Sequence, residues 1–324
     1  MRQAATYWEI LGALGRRQAV IGWWVTFPAT RVNGVLVTDY LQYGSGRDQM
    51  IDASIYPDRY WEMIGPLRVN QAQLDPQELG RFIDLEVFER EGERAEGAVE
   101  TLAWTYSADQ SYRRIARALY EDAAAKGEPF DVFTVYFRGL DVVSHRYWAS
   151  FKPGQGGGKA PDWEQEMCAD LSPGYIRYVD ELIGEVVEYA DPRSRFVIVS
   201  DHGFHGNRRT REGQARGINM HDDEGILVMA GPGIREGVTL EPDGLDVQNI
   251  ASTLLLMAGM PPAKNIDGQA WLAPFTDRWQ SFAARLAEDA VETYEDIVPA
   301  RDPTAEVDPE IEAEALERLK ALGY

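Results

Sequence analysis

The spacing of apolar residues predicts helices and strands that alternate along much of the chain. Tyr7, Trp8, Leu11 and Leu14 recur at helical spacing as far as Gly15, which predicts a short first helix. Apolar runs bounded by turn residues predict strands over residues 19–27, 35–38, 130–137, 196–200 and 226–230. Helical spacing predicts further helices over residues 112–123, 176–190 and 247–257. Because helices followed at once by buried strands are typical of parallel sheets, we expect an α/β fold with a doubly wound, mostly parallel sheet flanked by helices.

Two segments depart from this alternation. Residues 41–128 begin polar and acidic with scattered aromatic side chains, and we interpret them as a mainly helical cap insertion. The chain after residue 276 is acidic with helical spacing that extends over residues 315–322. The sequence therefore predicts one main domain over residues 1–276, which contains the cap, and a helical C-terminal tail over residues 277–324.

Composition and charge narrow the function classes. The 324 residues are 44% hydrophobic and 26% charged, as in ordinary globular proteins, and their formal net charge is −21. This charge disfavours binding to duplex nucleic acid or anionic lipid, so an anionic substrate needs a local positive feature such as a metal ion. The best apolar stretch, residues 250–260, is too short for a membrane span, and no signal-peptide pattern is present. Neither localisation nor oligomeric state follows from these observations.

The four histidines fall in one window that also contains three predicted strand ends. Ligands of open α/β sheets bind beyond the carboxyl ends of the strands, so polar residues at those ends are the first candidates. Asp141 and His145 follow the strand over 130–137 at i, i+4 spacing, which places both on one face of a helical turn. Taken alone, this pair is more typical of a helix surface than of a ligand site.

Two further clusters accompany that pair. Asp201 and His202 follow the strand over 196–200, and their side chains can converge only where the backbone leaves the strand, which we expect Gly203 to permit. His205 is interpreted as a loop residue or a group that supports a ligand. His221 lies in the loop before the last predicted strand, and only the presence of the other clusters makes it a candidate ligand.

Five carboxylate and imidazole side chains are thus candidate ligands: Asp141, His145, Asp201, His202 and His221. One catalytic zinc ion takes about three protein ligands, so five favour two divalent ions, with zinc the first choice and manganese or iron as alternatives. Paired ions of this kind suit displacement at phosphorus, where they hold the attacking and leaving oxygens.

Other motifs are weaker. Residues 154–159 resemble a phosphate loop, but Pro153 and Ala160 occupy required glycine and hydroxyl positions, so a plain loop is expected. Four arginines could hold an anion beside the metals or pair with acidic surface groups: Arg208, Arg209, Arg211 and Arg216. Cys168 lacks the Cys-x-Pro-x-Arg context of sulfatases.

The three histidine clusters carry a family resemblance. The chain shows Asp-x-x-x-His at 141–145, Ser-Asp-His-Gly-Phe at 200–204, and His221 before Gly-Ile-Leu-Val-Met-Ala-Gly-Pro-Gly-Ile at 225–234. This order resembles the alkaline phosphatase superfamily, and within it the type I phosphodiesterase/nucleotide pyrophosphatase branch. Residues 22–39 and 246–268 resemble other segments of the same branch, so the likeness covers most of residues 5–275.

The resemblance implies which residues bind each metal ion, and it also implies that two functional residues of the family are missing. It implies that Asp141, His145 and His221 bind one zinc ion while Asp201 and His202 bind the other. Family members complete the second site with an aspartate and a Thr or Ser nucleophile, both of which lie upstream of the region matching residues 22–39. We find no counterpart of either here, and therefore expect no catalytic nucleophile in this chain, whether through N-terminal truncation or a start codon placed too late.

Three residues could stand in for the missing groups, namely Thr26, Thr30 and Asp39, but they align with ordinary family positions and we do not expect them to replace those groups. The resemblance implies a metal-dependent phosphoester hydrolase that acts on a small molecule, most like a nucleotide pyrophosphatase/phosphodiesterase. The alternatives are a non-catalytic metal-binding remnant, a subunit completed by another polypeptide, and an enzyme similar to cofactor-independent phosphoglycerate mutase.

Overall fold

The computed structural model describes residues 4–42, 53–154, 159–205, 220–241 and 244–299. The helices in this part of the chain are α1 (Tyr7–Ala13), α2 (Trp61–Ile64), α3 (Leu85–Glu91), α4 (Glu93–Lys126), α5 (Gly139–Phe151), α6 (Asp162–Met167), α7 (Leu171–Tyr189), α8 (Gln248–Met257) and α9 (Asp277–Glu288). The strands are β1 (Gln18–Trp23), β2 (Gly34–Thr38), β3 (Ile55–Tyr56), β4 (Val132–Val135), β5 (Phe196–Ser200), β6 (Gly203–His205), β7 (Met220–Asp222) and β8 (Ile226–Ala230).

A four-stranded sheet lies at the centre of the α/β fold. Its strand order is β3-β2-β1-β4, with β1 parallel to both β2 and β4 and the short β3 antiparallel to β2. Every residue of β1 from Gln18 to Gly22 is buried, as expected of a strand covered on both faces. The prediction of a mostly parallel sheet flanked by helices is therefore confirmed at this level.

Helices cover both faces of this sheet. On one face, Ala19, Ile21 and Val37 pack against the second half of α4, including Tyr112 and Ile115. On the other face, the alternate strand residues pack against α1 and α8, in a cluster that includes Val20, Leu36, Leu11 and Leu255. A third apolar cluster joins the first half of α4 to α5 and α7. The helices thus cover the sheet, and α5 follows the carboxyl end of its strand β4.

The pairing of the remaining strands differs from the expected single sheet. In the described residues β5 pairs only with β8 and runs antiparallel to it, while β6 and β7 form a second antiparallel pair. Exposed and half-buried residues alternate along β8, where Val228 is exposed and Met229 packs against α8 and α9. The apolar runs identified these strands, but a run of apolar residues does not specify its pairing partner.

Several sequence predictions lie wholly or partly outside the described residues. They are the four arginines between positions 208 and 216, the helix over 315–322, and most of the loop over 154–159. Residues 53–128, which include most of the predicted cap, contain β3, short helical turns and the 34-residue α4. No helix in the described ranges is long and apolar enough to cross a membrane.

Candidate metal centre

Asp141 and His145 enter the candidate site from the first turns of α5. This helix begins at Gly139, four residues after β4 ends, so the turn at the carboxyl end of a parallel strand feeds directly into it. The His145 Nε2 atom lies 3.5 Å from the Asp141 Oδ1 atom, as the i, i+4 spacing predicts. Both side chains are largely buried, with exposed fractions of 8% for His145 and 16% for Asp141.

The start of α5 is fixed by a buried carboxylate that sequence reasoning missed. Asp109 of α4 accepts hydrogen bonds from the backbone N–H groups of Arg138 and Gly139, and from the Tyr175 hydroxyl at 2.9 Å. A carboxylate is favoured at a helix N-terminus, where the free N–H groups point outward. The available signal was four polar residues close together in the helix, namely Ser107, Asp109, Gln110 and Ser111.

Burial raises the pKa of Asp109 to about 7, although Tyr175 and the Arg138 guanidinium both act to lower it. Its second oxygen, Oδ1, is buried without a hydrogen-bond partner among the described residues. Arg138 is itself only 1% exposed and donates from Nη2 to the Asp39 carbonyl at 2.9 Å. Asp109 and Arg138 therefore form a buried polar network beside the start of α5, the helix that carries Asp141 and His145.

Asp201 and His202 lie where the backbone passes from β5 to β6. The strand β5 ends at Ser200 and β6 begins at Gly203, so the two residues occupy a bend and not a regular strand. Gly203 was expected to let the backbone leave the strand, but the structure gives another reason for glycine here. A Cβ atom at this position would lie only 2.8 Å from the Glu224 carbonyl oxygen. Close approach of the β7–β8 connection therefore requires this glycine.

The His202 ring is held in a defined orientation. Its Nδ1 atom lies 3.0 Å from the Gly203 carbonyl oxygen and must donate the hydrogen, since a carbonyl only accepts. The other ring nitrogen, Nε2, is then free to bind a ligand and lies 3.8 Å from both Asp141 Oδ1 and Asp201 Oδ1. Histidines that bind metals are commonly oriented in this way.

His221 reaches the same point from β7. Its Nε2 atom lies 3.7 Å from Asp141 Oδ1 and 2.8 Å from His145 Nε2. The rings of His202 and His221 stack with their centroids 3.5 Å apart. The structure thus brings all five predicted ligands together, with Asp141 Oδ1 within 4 Å of three imidazole rings.

Phe204 packs its ring against the rings of three of the candidate ligands. It lies directly opposite His221 in the β6–β7 pair, and its ring contacts those of His145, His202 and His221 at centroid distances of 4.8, 5.7 and 5.3 Å. The ring also stacks on Trp148 of α5. In the sequence, an aromatic residue between His202 and His205 is the local signal of this packing.

The donor set fits a divalent metal ion. One oxygen or nitrogen from each of Asp141, His145 and His221 lies within 4.8 Å of the other two. Two atoms that each lie ~2 Å from one tetrahedral ion are ~3.3 Å apart, which is close to the separations observed here. Burial lowers the pKa of His145 and of His221, which favours the neutral imidazole that a metal ligand requires.

The remaining candidates have other surroundings. His205 lies at the end of β6, and its Nδ1 atom is buried without a hydrogen-bond partner in the described residues. Thr26 and Thr30 are buried, and the Thr26 hydroxyl contacts Asp39 Oδ1 at 3.2 Å. Asp39 is also buried, and burial raises its pKa. Burial keeps both hydroxyls from solvent, so neither has the exposure expected of a nucleophile. Cys168 is buried and free, and burial raises its pKa to about 12.

Comparison with known proteins agrees with this arrangement. No curated protein and no solved structure matches the chain. A family model described as type I phosphodiesterase / nucleotide pyrophosphatase matches residues 2–254, well over half of the sequence and a span that includes all five predicted ligands. The expected family is confirmed, and the chain belongs to the type I phosphodiesterase/nucleotide pyrophosphatase family.

Proposed function

We propose that this chain is a metal-dependent phosphoester hydrolase whose centre holds two divalent ions, with zinc preferred. The observation that carries the proposal is the convergence of Asp141, His145 and His221, whose ligand atoms all lie within 4.8 Å of one another. Family membership supports hydrolysis of phosphoesters by resemblance. The acidic composition agrees with it, because ions would supply the positive charge that an anionic substrate needs.

The five residues divide between the two ions in the proposal. Asp141, His145 and His221 bind the first ion, and Asp201 with His202 contributes to the second. Asp201 is 78% exposed on its side chain, so the second position opens toward solvent and a substrate can approach it. When bound, such ions polarise a phosphoryl oxygen and lower the pKa of a bound water molecule.

In this proposal, residues of the chain itself orient the metal ligands and exclude water from one side of the centre. Asp109 fixes the start of α5, and the Gly203 carbonyl orients His202 so that its Nε2 atom is free to bind an ion. Phe204 and Trp148 form the apolar side of the centre. We assign the nucleophile to no residue of this chain, so a water molecule would attack phosphorus directly and the ester oxygen would leave. Small phosphodiesters and nucleotide pyrophosphates are the proposed substrate class, as in the family's description.

Metal content and hydrolysis test the proposal together. The full chain, loaded with zinc and then desalted, should carry about two ions by mass spectrometry and release nitrophenol from bis(p-nitrophenyl) phosphate. Asp141→Ala and His221→Ala should each remove the first ion, while His205→Ala serves as the matched histidine control and keeps both. One ion or none per chain would overturn the two-ion centre, and a fully loaded chain without turnover would overturn the hydrolase.

A further inference from the structure

A cavity lies at the opposite end of β5 from the candidate metal centre. It has a volume of about 730 Å³, within the usual range for small-molecule sites, and lies among α8, α9 and the turn after β8. Arg195 precedes β5 and lines this cavity, whereas Asp201 and His202 follow the strand. The five residues of β5 separate the two places by ~17 Å. Most of the lining comes from residues beyond 254, outside the family match.

Three arginines line the cavity: Arg195, Arg278 and Arg285. Among the described residues they are the only charged ones that line it, although acidic residues outnumber basic ones by 53 to 32 in the chain. No carboxylate of the described residues lies within 4 Å of any of the three guanidinium groups. The cavity therefore holds concentrated positive charge in a protein whose net charge is −21.

Arg195 is held in place by neutral groups. Its Nε donates to the Pro232 carbonyl at 2.8 Å and its Nη1 to the Met257 carbonyl at 3.1 Å. The guanidinium also lies 4.2 Å from the Trp279 ring centroid. Burial lowers the pKa of Arg195, and no neighbouring carboxylate acts to raise it. The group is fixed but its charge is not neutralised.

The other two arginines project from α9. Arg278, Phe282 and Arg285 occupy positions i, i+4 and i+7, so they share one face of the helix, with the two arginines ~10 Å apart along its axis. Both arginines are exposed. Both long side chains can extend from the helix toward the cavity that they line, and a molecule with two or more anionic groups can contact both guanidinium groups at once. Guanidinium groups bind phosphate and carboxylate through paired hydrogen bonds.

We propose that this cavity binds a small molecule carrying at least two phosphate or carboxylate groups, at a site separate from the metal centre. Phe282 and the Met257 segment provide an apolar wall for the rest of such a ligand. Pyrophosphate and citrate are the probes, because they present the two chemistries on small, flexible molecules.

Calorimetric titration of metal-free, full-length protein tests the site. We expect pyrophosphate or citrate to bind, and the probe that binds more tightly identifies the chemistry. The double variant Arg278→Gln/Arg285→Gln should weaken binding at least tenfold, since it removes two of three cations. Its matched control is Arg114→Gln/Arg117→Gln, which makes the same change in net charge at exposed positions of α4 and should bind as the parent does.

The outcomes separate this site from the metal centre. Asp141→Ala should bind the probe as the parent does, and loss of binding in that variant would assign the probe to the metal centre and overturn the proposal. Absence of binding by both probes would overturn it, as would equal affinity of the Arg278/Arg285 variant and the parent. Unchanged melting temperatures of the arginine variants show that a loss of binding does not come from unfolding.

Discussion

Gly139 lies where a helix start, a buried carboxylate and a tyrosine hydroxyl meet. A Cβ at this position would overlap both the Tyr175 hydroxyl and the Asp109 carboxylate. We expect Gly139→Ala to destabilise the protein by ~1–3 kcal/mol, because overpacking must displace the start of α5. Metal affinity should fall with it, since Asp141 lies two residues further along.

The control for that substitution is Gly184→Ala. Gly184 lies inside α7, and a Cβ there meets nothing within 4 Å. This change should stabilise the protein by ~0.5–1 kcal/mol, because alanine favours a helix interior over glycine. Chemical denaturation measures both values. Equal effects of the two substitutions would show that the contacts at Gly139 do not limit the helix position.

Asp109 makes stability depend on pH in a stated direction. Burial raises its pKa to about 7, whereas an unfolded aspartate has a pKa of ~3.9. Below pH ~4 the carboxyl is protonated in both states, and as pH rises toward 7 the unfolded state ionises first, so this group's contribution to stability is lost over that window. Asp109→Asn should therefore lose less stability than the parent between pH ~4 and ~7. Unfolding curves at several pH values test this, and parallel pH profiles would contradict it.

At the scale of elements, the β6–β7 pair matters because it places Phe204 against three histidine rings. Phe204→Ala removes no ligand, yet it removes the surface on which His145, His202 and His221 pack. We expect zinc affinity to fall ~10-fold or more, as is usual when groups that orient metal ligands are lost. Competition with a chelating dye measures the affinity. Zinc affinity equal to that of the parent would show that the rings are oriented without Phe204.

Helices and strands were predictable from sequence where the signal was local. The helical spacing over 112–123 identified the second half of α4, which ends before Gly127, a residue in a left-handed conformation. The first half of α4 was assigned only to a mainly helical cap, because buried polar residues such as Asp109 interrupt the apolar spacing there. The strands β5 and β8 were found at their residues, but their antiparallel pairing depends on contacts that no local pattern encodes.

The candidate ligands were predictable for a similar reason. Asp141, His145, Asp201 and His202 all follow apolar strands, and strand ends are where sites form in such folds. Their supports were not predictable, because Asp109 and Tyr175 approach Gly139 from helices far away in sequence. The buried environment that raises one carboxyl pKa and lowers two imidazole pKa values exists only once these helices pack.

At the scale of the whole molecule, the candidate metal centre draws its residues from several parts of the fold. Its residues come from α5, from the bend between β5 and β6, and from β7, so ligand bonds would link the central sheet's helices to both antiparallel strand pairs. An ion that binds only the folded state stabilises it by mass action, by ~4 kcal/mol at a concentration of 1,000 times the Kd. Removal of zinc with a chelator should therefore lower the Tm by several degrees. The His221→Ala variant should start at a lower Tm and show a smaller further decrease with the chelator. If the chelator leaves the Tm of the parent protein unchanged, the centre holds no zinc. If the chelator lowers the Tm of parent and variant equally, binding of the stabilising ion does not depend on His221.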